Sequence, residues 1–321
     1  MALPARSPNI LRRALLYVPA SSEKMLSKSL ALTSDNITYD LEDSVTPSRK
    51  EPARANLASF LRTRPAPPPS TELAVRINAI STPHALADLT ALASLPALSA
   101  ICVPKVESAA DLTFVTDVLR HLAPERHAPD APNPIRIIAL IESARAIMDL
   151  REICSASPYL SGLVFAAEDF AKDLSLTRSP SLSEFLYARS AIVTAARAAR
   201  LPSAIDLVCT SFRGEAGVAR LQEEALGGKA LGFNGKQCIH PDQVEPVQRY
   251  FAPGEKELEW AVRIVIADDK ASAAGRGAWT LDGSMIDAPV VAKARLIVAK
   301  AEQCGLDVAA VQEAWRGQEP E

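Results

Sequence analysis

The sequence predicts an α/β protein, a (β/α)8 TIM barrel with a C-terminal helical extension, and three observations support this. Short apolar, β-branched segments recur along the chain, and Ala/Leu-rich segments with helical spacing lie between them. Eight such units are present, which is the number in a closed parallel barrel. No GxGxxG motif follows the first segment, which disfavours the alternative of a doubly wound sheet.

The candidate strands are the apolar runs of the repeat. They cover residues 14–19, 36–43, 72–78, 100–107, 135–143, 161–170, 204–209 and 229–236. The segment 183–201 has helical spacing, and the Pro-rich stretches 64–70 and 123–134 are predicted surface loops on the strand-entry side.

The repeat ends near residue 250, so we predict a catalytic barrel over residues 1–250 and a helical extension over 251–321. Within the extension, predicted helices 254–269 and 288–303 flank a Gly-containing link at 273–289. This link carries an MID motif, and the extension is interpreted as a lid, not as a second full domain.

Composition excludes several classes of protein. The net charge of −3 gives no reason to expect nucleic acid or an anionic membrane as a partner. Five scattered cysteines without a CxxC pair predict reduced thiols, and four histidines without HExxH spacing disfavour a zinc site. The first 13 residues hold three arginines and no acid. We interpret them as a disordered N-terminus of an intracellular protein, cytoplasmic or mitochondrial.

Charged residues lie where most of the candidate strands end, which is the ligand-binding end of a barrel. From the second strand to the sixth they are Glu42 and Asp43, Arg76, Lys105 and Glu107, Glu142, and Glu168 and Asp169. Buried charges are costly unless they are paired or ligate an ion. A ring of structural ion pairs and an active site both remain open, and carboxylates on adjacent strands beside an Arg favour the site.

Glu142 and Asp169 end neighbouring strands, so their carboxylates are expected to converge. Two carboxylates that leave room for water and substrate oxygens suit Mg²⁺ better than Ca²⁺ or Zn²⁺. A 2-oxo acid would chelate this ion, and Arg76 would grip its carboxylate through the bidentate guanidinium fork.

At these same residues the chain resembles a known family over nearly its whole length. The supporting segments are RRALLYVP (12–19), DLEDSV (40–45), VRIN (75–78), PKVES (104–108), ALIES (139–143), EDF (168–170), GFNGKQCIHPDQV (232–244) and DGSMIDAPVVAKA (282–294). Their order and spacing resemble the citrate lyase β-subunit-like branch of the HpcH/HpaI aldolase superfamily, and in particular the citramalyl-CoA and malyl-CoA lyases.

The resemblance implies a role for each matching residue. It implies that Glu142 and Asp169 hold the metal and that Arg76 binds the substrate carboxylate. It implies that the segment from Tyr17 to Lys24, together with Lys28, contacts the coenzyme A thioester, and that Gln237 and Cys238 line the same site. Lys24 and Lys28 have i, i+4 spacing, although a solvated lysine pair would show the same spacing.

The resemblance further implies that Asp287 of the MID motif is the general acid/base, delivered across a subunit interface in a homotrimer. Asp287 is followed by Ala-Pro, a pattern that also favours an Asp as a helix N-cap. Asp287 can be both the N-cap and the general acid/base. Family members that serve as the β subunit of citrate lyase are expected to lack the extension, so its presence favours a free-standing CoA enzyme.

Three positions depart from the family pattern. Ala20 stands where Gly is usual, Ser175 replaces the Gly of DLG, and Asn234 stands where Asp is common. These departures affect substrate detail more than reaction type.

The predicted function is a magnesium-dependent carbon–carbon lyase that converts a 3-hydroxy-3-carboxyacyl-CoA to acetyl-CoA and a 2-oxo acid. Citramalyl-CoA is favoured over malyl-CoA. Two alternatives remain: a free-acid aldolase of the same superfamily, which would not need Asp287, and a non-catalytic barrel subunit of a larger complex.

Overall fold

The first part of the chain folds into a closed barrel of eight parallel strands, each hydrogen-bonded to the next and β8 to β1. The computed structural model describes residues 10–321, so residues 1–9 of the predicted disordered N-terminus lie outside the described residues. The strands are β1 Ala14–Pro19, β2 Asn36–Asp40, β3 Glu72–Arg76, β4 Ala100–Val103, β5 Arg136–Ile141, β6 Leu160–Phe165, β7 Ser203–Asp206 and β8 Gly235–Cys238. The predicted TIM barrel is confirmed.

In the part of the chain that the structure describes, nine helices lie between successive strands on the outside of the barrel, and a tenth follows β8. They are α1 Glu23–Ser29, α2 Lys50–Thr63, α3 His84–Leu92, α4 Ala109–Leu122, α5 Ala144–Met148, α6 Leu150–Ser155, α7 Ala167–Asp173, α8 Leu186–Ala198, α9 Gly214–Leu231 and α10 Val244–Phe251. Among residues 10–321, none of the helices combines the length and apolar character needed to cross a membrane.

The eighth strand was predicted too early in the chain. Residues 229–231 are the last turn of α9, which ends at Gly232 with φ of 100°. This left-handed glycine is a helix C-cap, so the strand begins only at Gly235. A Cβ atom on Gly235 would lie 1.9 Å from the carbonyl oxygen of Arg12, which explains why the seam between β8 and β1 needs glycine here.

The barrel interior is an aliphatic core. Alternate residues of the strands point inward and pack together, including Leu15, Ala74, Cys102, Leu140 and Val164. At the strand-entry end a buried ion pair closes the barrel, because Arg12 donates to both carboxylate oxygens of Glu72 at 2.6 and 2.8 Å. The cavity that can accept a ligand therefore lies at the other end.

The chain divides into two compact units, Met1–Gln248 and Arg249–Glu321, and the second has elements of its own. It contains α11 Glu255–Ala273, the antiparallel strands β9 Trp279–Leu281 and β10 Ser284–Ile286, α12 Ala288–Gln303 and α13 Val308–Ala314. Its core packs Trp279, Leu281 and Ile286 against apolar residues of α11 and α12.

The β9–β10 hairpin was not predicted from the sequence. Its two-residue turn is Asp282–Gly283, with φ of 48° and 74°. An Asp-Gly pair between two alternating segments is the sequence signal that could have found it.

Candidate active site at the barrel mouth

A cavity of about 470 Å³ opens at the carboxyl end of the strands. Seven residues singled out from the sequence line it: Tyr17, Asp43, Arg76, Glu142, Glu168, Asp169 and Gln237. Several of the predicted strands were too long: Glu42, Lys105 and Glu142 lie in the loops just beyond their strands, and Glu168 and Asp169 lie in the first turn of α7. These loops bring side chains from separate strands to one place, as barrel active sites require.

Glu142 and Asp169 approach each other here and share a hydrogen bond. Glu142 follows β5 directly and is 6% exposed, whereas Asp169 lies in the first turn of α7 after β6 and is more open. Burial, with the hydrogen bond to Asp169, raises the pKa of Glu142 to about 8. The same hydrogen bond, with the nearby Lys105, lowers the pKa of Asp169.

This arrangement fits a divalent cation. A buried carboxylate with another carboxylate beside it is unfavourable in its charged form, and a cation between them would remove that penalty. No group of three or more His, Cys, Asp or Glu side chains in residues 10–321 has metal-site geometry. Two protein carboxylates nevertheless suit Mg²⁺, which usually keeps several waters and takes other ligands from the substrate.

Arg76 is held mainly by Asp40, a residue that the sequence analysis passed over. The two residues are register partners on β3 and β2, and Nε and Nη2 of Arg76 each donate to an Asp40 carboxylate oxygen at 2.7 Å. Burial opposes ionisation of Asp40, but its contacts with Arg76 lower the pKa below the usual value. An Asp at the end of a strand, in register with an Arg at the end of the next strand, was the signal that could have revealed this pair.

The pairing restricts what Arg76 can offer a ligand. One edge of its guanidinium fork is taken by Asp40, and Nη1 lies 3.2 Å from the Glu42 carboxylate. The guanidinium also stacks over the Tyr17 ring at 4.6 Å. Arg76 lines the cavity, and its role as a carboxylate ligand stays a prediction that depends on Nη1.

Tyr17 and Gln237 join the two strands at the barrel seam. The Tyr17 hydroxyl donates to Oε1 of Gln237 at 2.9 Å, and Nε2 of Gln237 donates to the Phe165 carbonyl at 2.9 Å. Burial raises the pKa of Tyr17 well above its ordinary value, so the hydroxyl stays protonated and acts as a donor. Both side chains reach the cavity.

The other predicted residues are not part of the cavity lining. Cys238 is fully buried, and burial raises the pKa of its thiol to about 12. Lys24 and Lys28 are exposed on α1, the short helix that follows β1. Asp287 belongs to the second unit, where it caps α12 and its Oδ1 accepts a hydrogen bond from the Val290 N–H at 3.3 Å.

Lys105 is a site residue whose importance the sequence analysis missed, although it noted the charge at the end of the fourth strand. Its backbone N–H donates to Oε1 of Glu142 at 3.0 Å. Its ammonium group contacts Glu42 and lies 3.5 Å from Asp169. Burial alone would lower the pKa of the Lys105 ammonium group, but the neighbouring carboxylates raise it. Its left-handed backbone was not visible in the sequence.

Comparison with known proteins identifies the family. The sequence signature of the HpcH/HpaI aldolase/citrate lyase family matches residues 13–241. The chain belongs to this family. The match confirms the resemblance found in the sequence motifs.

Members of the family with similar sequences are lyases. Human mitochondrial citramalyl-CoA lyase is 36% identical over 296 residues, which are 89% of this chain and 84% of the human protein. The citrate lyase β subunit of Haemophilus influenzae is 36% identical over 292 residues, 91% of this chain and 97% of the relative. These names agree with the predicted enzyme class, a carbon–carbon lyase.

A solved structure of the family contains the predicted ligands. The protein CitE of Mycobacterium tuberculosis, in complex with magnesium, acetoacetate and coenzyme A, is 31% identical. It aligns with a TM-score of 0.72 over 92% of this chain and 99% of its own. A Burkholderia xenovorans citrate lyase with 22% identity and a TM-score of 0.77 shows the shared fold.

One expectation about the extension needs correction. The match to the Haemophilus β subunit spans 292 residues, which is longer than the 248 residues of the first unit. The match therefore continues into the second unit. The presence of that unit does not by itself distinguish a free-standing CoA lyase from a citrate lyase subunit.

Proposed function

We propose that this protein is a magnesium-dependent lyase that cleaves a 3-hydroxy-3-carboxyacyl-CoA, with citramalyl-CoA preferred over malyl-CoA, into acetyl-CoA and a 2-oxo acid. The observation that carries the proposal is the convergence of Glu142 and Asp169 at the barrel mouth. The human relative named citramalyl-CoA lyase and the magnesium and coenzyme A in the Mycobacterium structure support the cofactor and the substrate class.

Glu142 and Asp169 would hold the magnesium ion. When bound, it acts as a Lewis acid that stabilises negative charge on the substrate oxygen where the bond breaks. The backbone N–H of Lys105 keeps the Glu142 carboxylate in place. The aliphatic barrel core below keeps water away from the cavity floor.

The other residues would bind and orient the substrate. Nη1 of Arg76 faces the acid portion, while the exposed Lys24 and Lys28 suit the phosphates of coenzyme A. Cleavage breaks the bond between the carbinol carbon and the acetyl methylene. The carbinol hydroxyl gives up its proton as it becomes the ketone of the 2-oxo acid, and the electron pair of the broken bond forms the acetyl-CoA enolate, which gains a proton. We assign that proton to Asp287, which would remove it again in the condensing direction.

The family resemblance also predicts a homotrimer in which Asp287 of one copy serves the barrel of another. This arrangement remains a prediction. It would explain why a catalytic acid lies in a unit separate from the metal ligands.

A second candidate is a subunit of a citrate lyase, which the Haemophilus relative favours. Such a subunit would act on a citryl group within a larger complex. The two candidates share the metal site and differ in the acyl group that they accept.

An assay of acetyl-CoA release tests the proposal. The purified protein is given citramalyl-, malyl-, methylmalyl- and citryl-CoA, each with Mg²⁺ and with EDTA. We expect citramalyl-CoA to have the highest kcat/KM, EDTA to abolish turnover and added Mg²⁺ to restore it. Full turnover in EDTA would contradict the metal role, and a preference for citryl-CoA would favour the second candidate.

A further inference from the structure

Lys105 has an unusual backbone for a lysine. It follows β4 with φ of 51°, in the left-handed region that side chains rarely adopt. This conformation aims its N–H at the Glu142 carboxylate. Glycine would reach the same backbone without strain, so a lysine at this position points to a use for its side chain.

The Lys105 ammonium group lies among the acids of the barrel mouth. It contacts Glu42 and lies 3.6 Å from Asp43 and 3.5 Å from Asp169. Its side chain is 41% exposed, and two of these three acidic partners lie 3.5 Å or more from Nζ. Most of its present partners are thus loose ion pairs, which a ligand can replace.

A second, more polar cavity of about 610 Å³ lies on the Lys105 side of the metal-binding pair. Lys105, Ser143 and Lys172 line it, and it shares Glu142 and Asp169 with the mouth cavity. A small acid bound to a metal ion at Glu142 and Asp169 would therefore be within reach of Lys105 as well as of Arg76.

The charges of the site show why a cationic side chain is needed in addition to Arg76. The acid portion of the substrate adds a carboxylate to a region that already holds Glu42, Asp43 and Asp169. Arg76 can offer little more than Nη1, because Asp40 takes the other edge of its fork. Lys105 is a cation beside the metal ligands that is not locked in a bidentate pair, and its Nζ lies 3.5 Å from Asp169.

We propose that Lys105 is a substrate-binding residue that pairs its ammonium group with the carboxylate of the 2-oxo acid portion. This inference rests on the proposed function and deepens it. It makes Lys105 a specificity determinant that selects a carboxylate over a neutral group of the same shape. Lys105 then makes two contacts at once: its backbone N–H donates to the metal ligand Glu142, and its side chain binds the substrate.

Binding of two probes to the magnesium-loaded protein tests the proposal. Pyruvate carries the carboxylate, and pyruvamide has nearly the same shape without the charge. The variants are K105M, which removes the ammonium group, and K105G, which also relieves the backbone strain. K105R keeps the charge, and K172M removes a charge from the same cavity. Isothermal titration first measures the Mg²⁺ affinity of each variant and then the affinity for each probe.

We expect K105M and K105G to bind pyruvate at least tenfold more weakly and to bind pyruvamide as the wild type does. K105R should recover most of the pyruvate affinity, and K172M should change it less than threefold. K105M should bind Mg²⁺ at least as tightly as the wild type, since a cation near Asp169 has been removed.

Unchanged pyruvate binding in both K105M and K105G would overturn the role of Lys105 and leave the proposed function standing. A loss of Mg²⁺ affinity in K105M as large as its loss of pyruvate affinity would also overturn it, since Lys105 would then act by holding the metal ligands. A magnesium-loaded wild type that binds no pyruvate would overturn the inference and the proposed function together.

Discussion

Glu142 and Asp169 share a hydrogen bond at the barrel mouth, although both side chains are acids. Without a cation, the pair is most stable with a proton on Glu142, whose pKa is raised to about 8 by burial and by this contact. With both carboxylates ionised the pair is unfavourable unless a cation lies between them, so it is suited to a bound ion.

The raised pKa of Glu142 predicts how the stability of metal-free protein depends on pH. From about pH 4.5 to about 8 the folded state keeps a proton that the unfolded state has lost. The free energy of unfolding should therefore fall as the pH rises through this window. The lowered pKa of Asp169 contributes no slope there, because Asp169 is ionised in both states. Thermal unfolding in EDTA from pH 6 to 9 measures the effect.

The control is E142Q, because the glutamine side chain does not titrate in this pH range. In EDTA it should be more stable than the wild type at pH 8 to 9, and Mg²⁺ should stabilise the wild type but not the variant. Parallel pH profiles for the two proteins would contradict the assignment.

Asp287→Asn tests the acid/base. Asn also caps helices well, so the fold should be kept while kcat falls by about 10²–10⁴-fold. Asp307 caps α13 in the same way, with Oδ1 accepting from the Ala310 N–H at 3.0 Å, so D307N is the matched control. Equal turnover of D287N and wild type would favour a free-acid aldolase.

A mixture of inactive chains tests whether Asp287 acts across a subunit interface. Co-expressed E142Q and D287N chains should form some sites with an intact barrel and an intact acid from different copies. We expect partial recovery of acetyl-CoA release. Activity no greater than that of the separate variants would place both residues of each site in one chain.

Lys24 and Lys28 are expected to bind the phosphates of coenzyme A. A hydrogen bond to a charged group contributes about 1.5–3 kcal/mol, so K24A/K28A should raise the KM for the acyl-CoA roughly tenfold or more. The kcat should be unchanged, and the effect should shrink at high salt. Lys256 is similarly exposed in the second unit, and K256A is the control. An unchanged KM would leave the two lysines as a solvated pair.

The fold was predictable because its signals are local. Eight apolar runs separated by helical segments fix the barrel, and Gly232 is the point where a turn residue was overlooked. Glu142 was predictable for the same reason, since it follows β5 directly, and so was Asp169, which lies in the first turn of the helix after β6.

The missed features depend on register and on backbone conformation. Asp40 meets Arg76 because the two lie opposite each other on adjacent strands. The left-handed backbone of Lys105 and the fully buried state of Cys238 depend on packing between elements distant in sequence. The spacing of residues along the chain does not reveal strand register or the packing of distant elements.

Metal binding to wild type, E142Q and D169N tests the central claim most directly, with Mn²⁺ as the probe followed by electron paramagnetic resonance. The account predicts about one ion for each wild-type chain, competition by Mg²⁺, and an affinity in both variants reduced by roughly a hundredfold or more, as expected when one of two protein ligands is lost. Binding of one ion with wild-type affinity to either variant would contradict it.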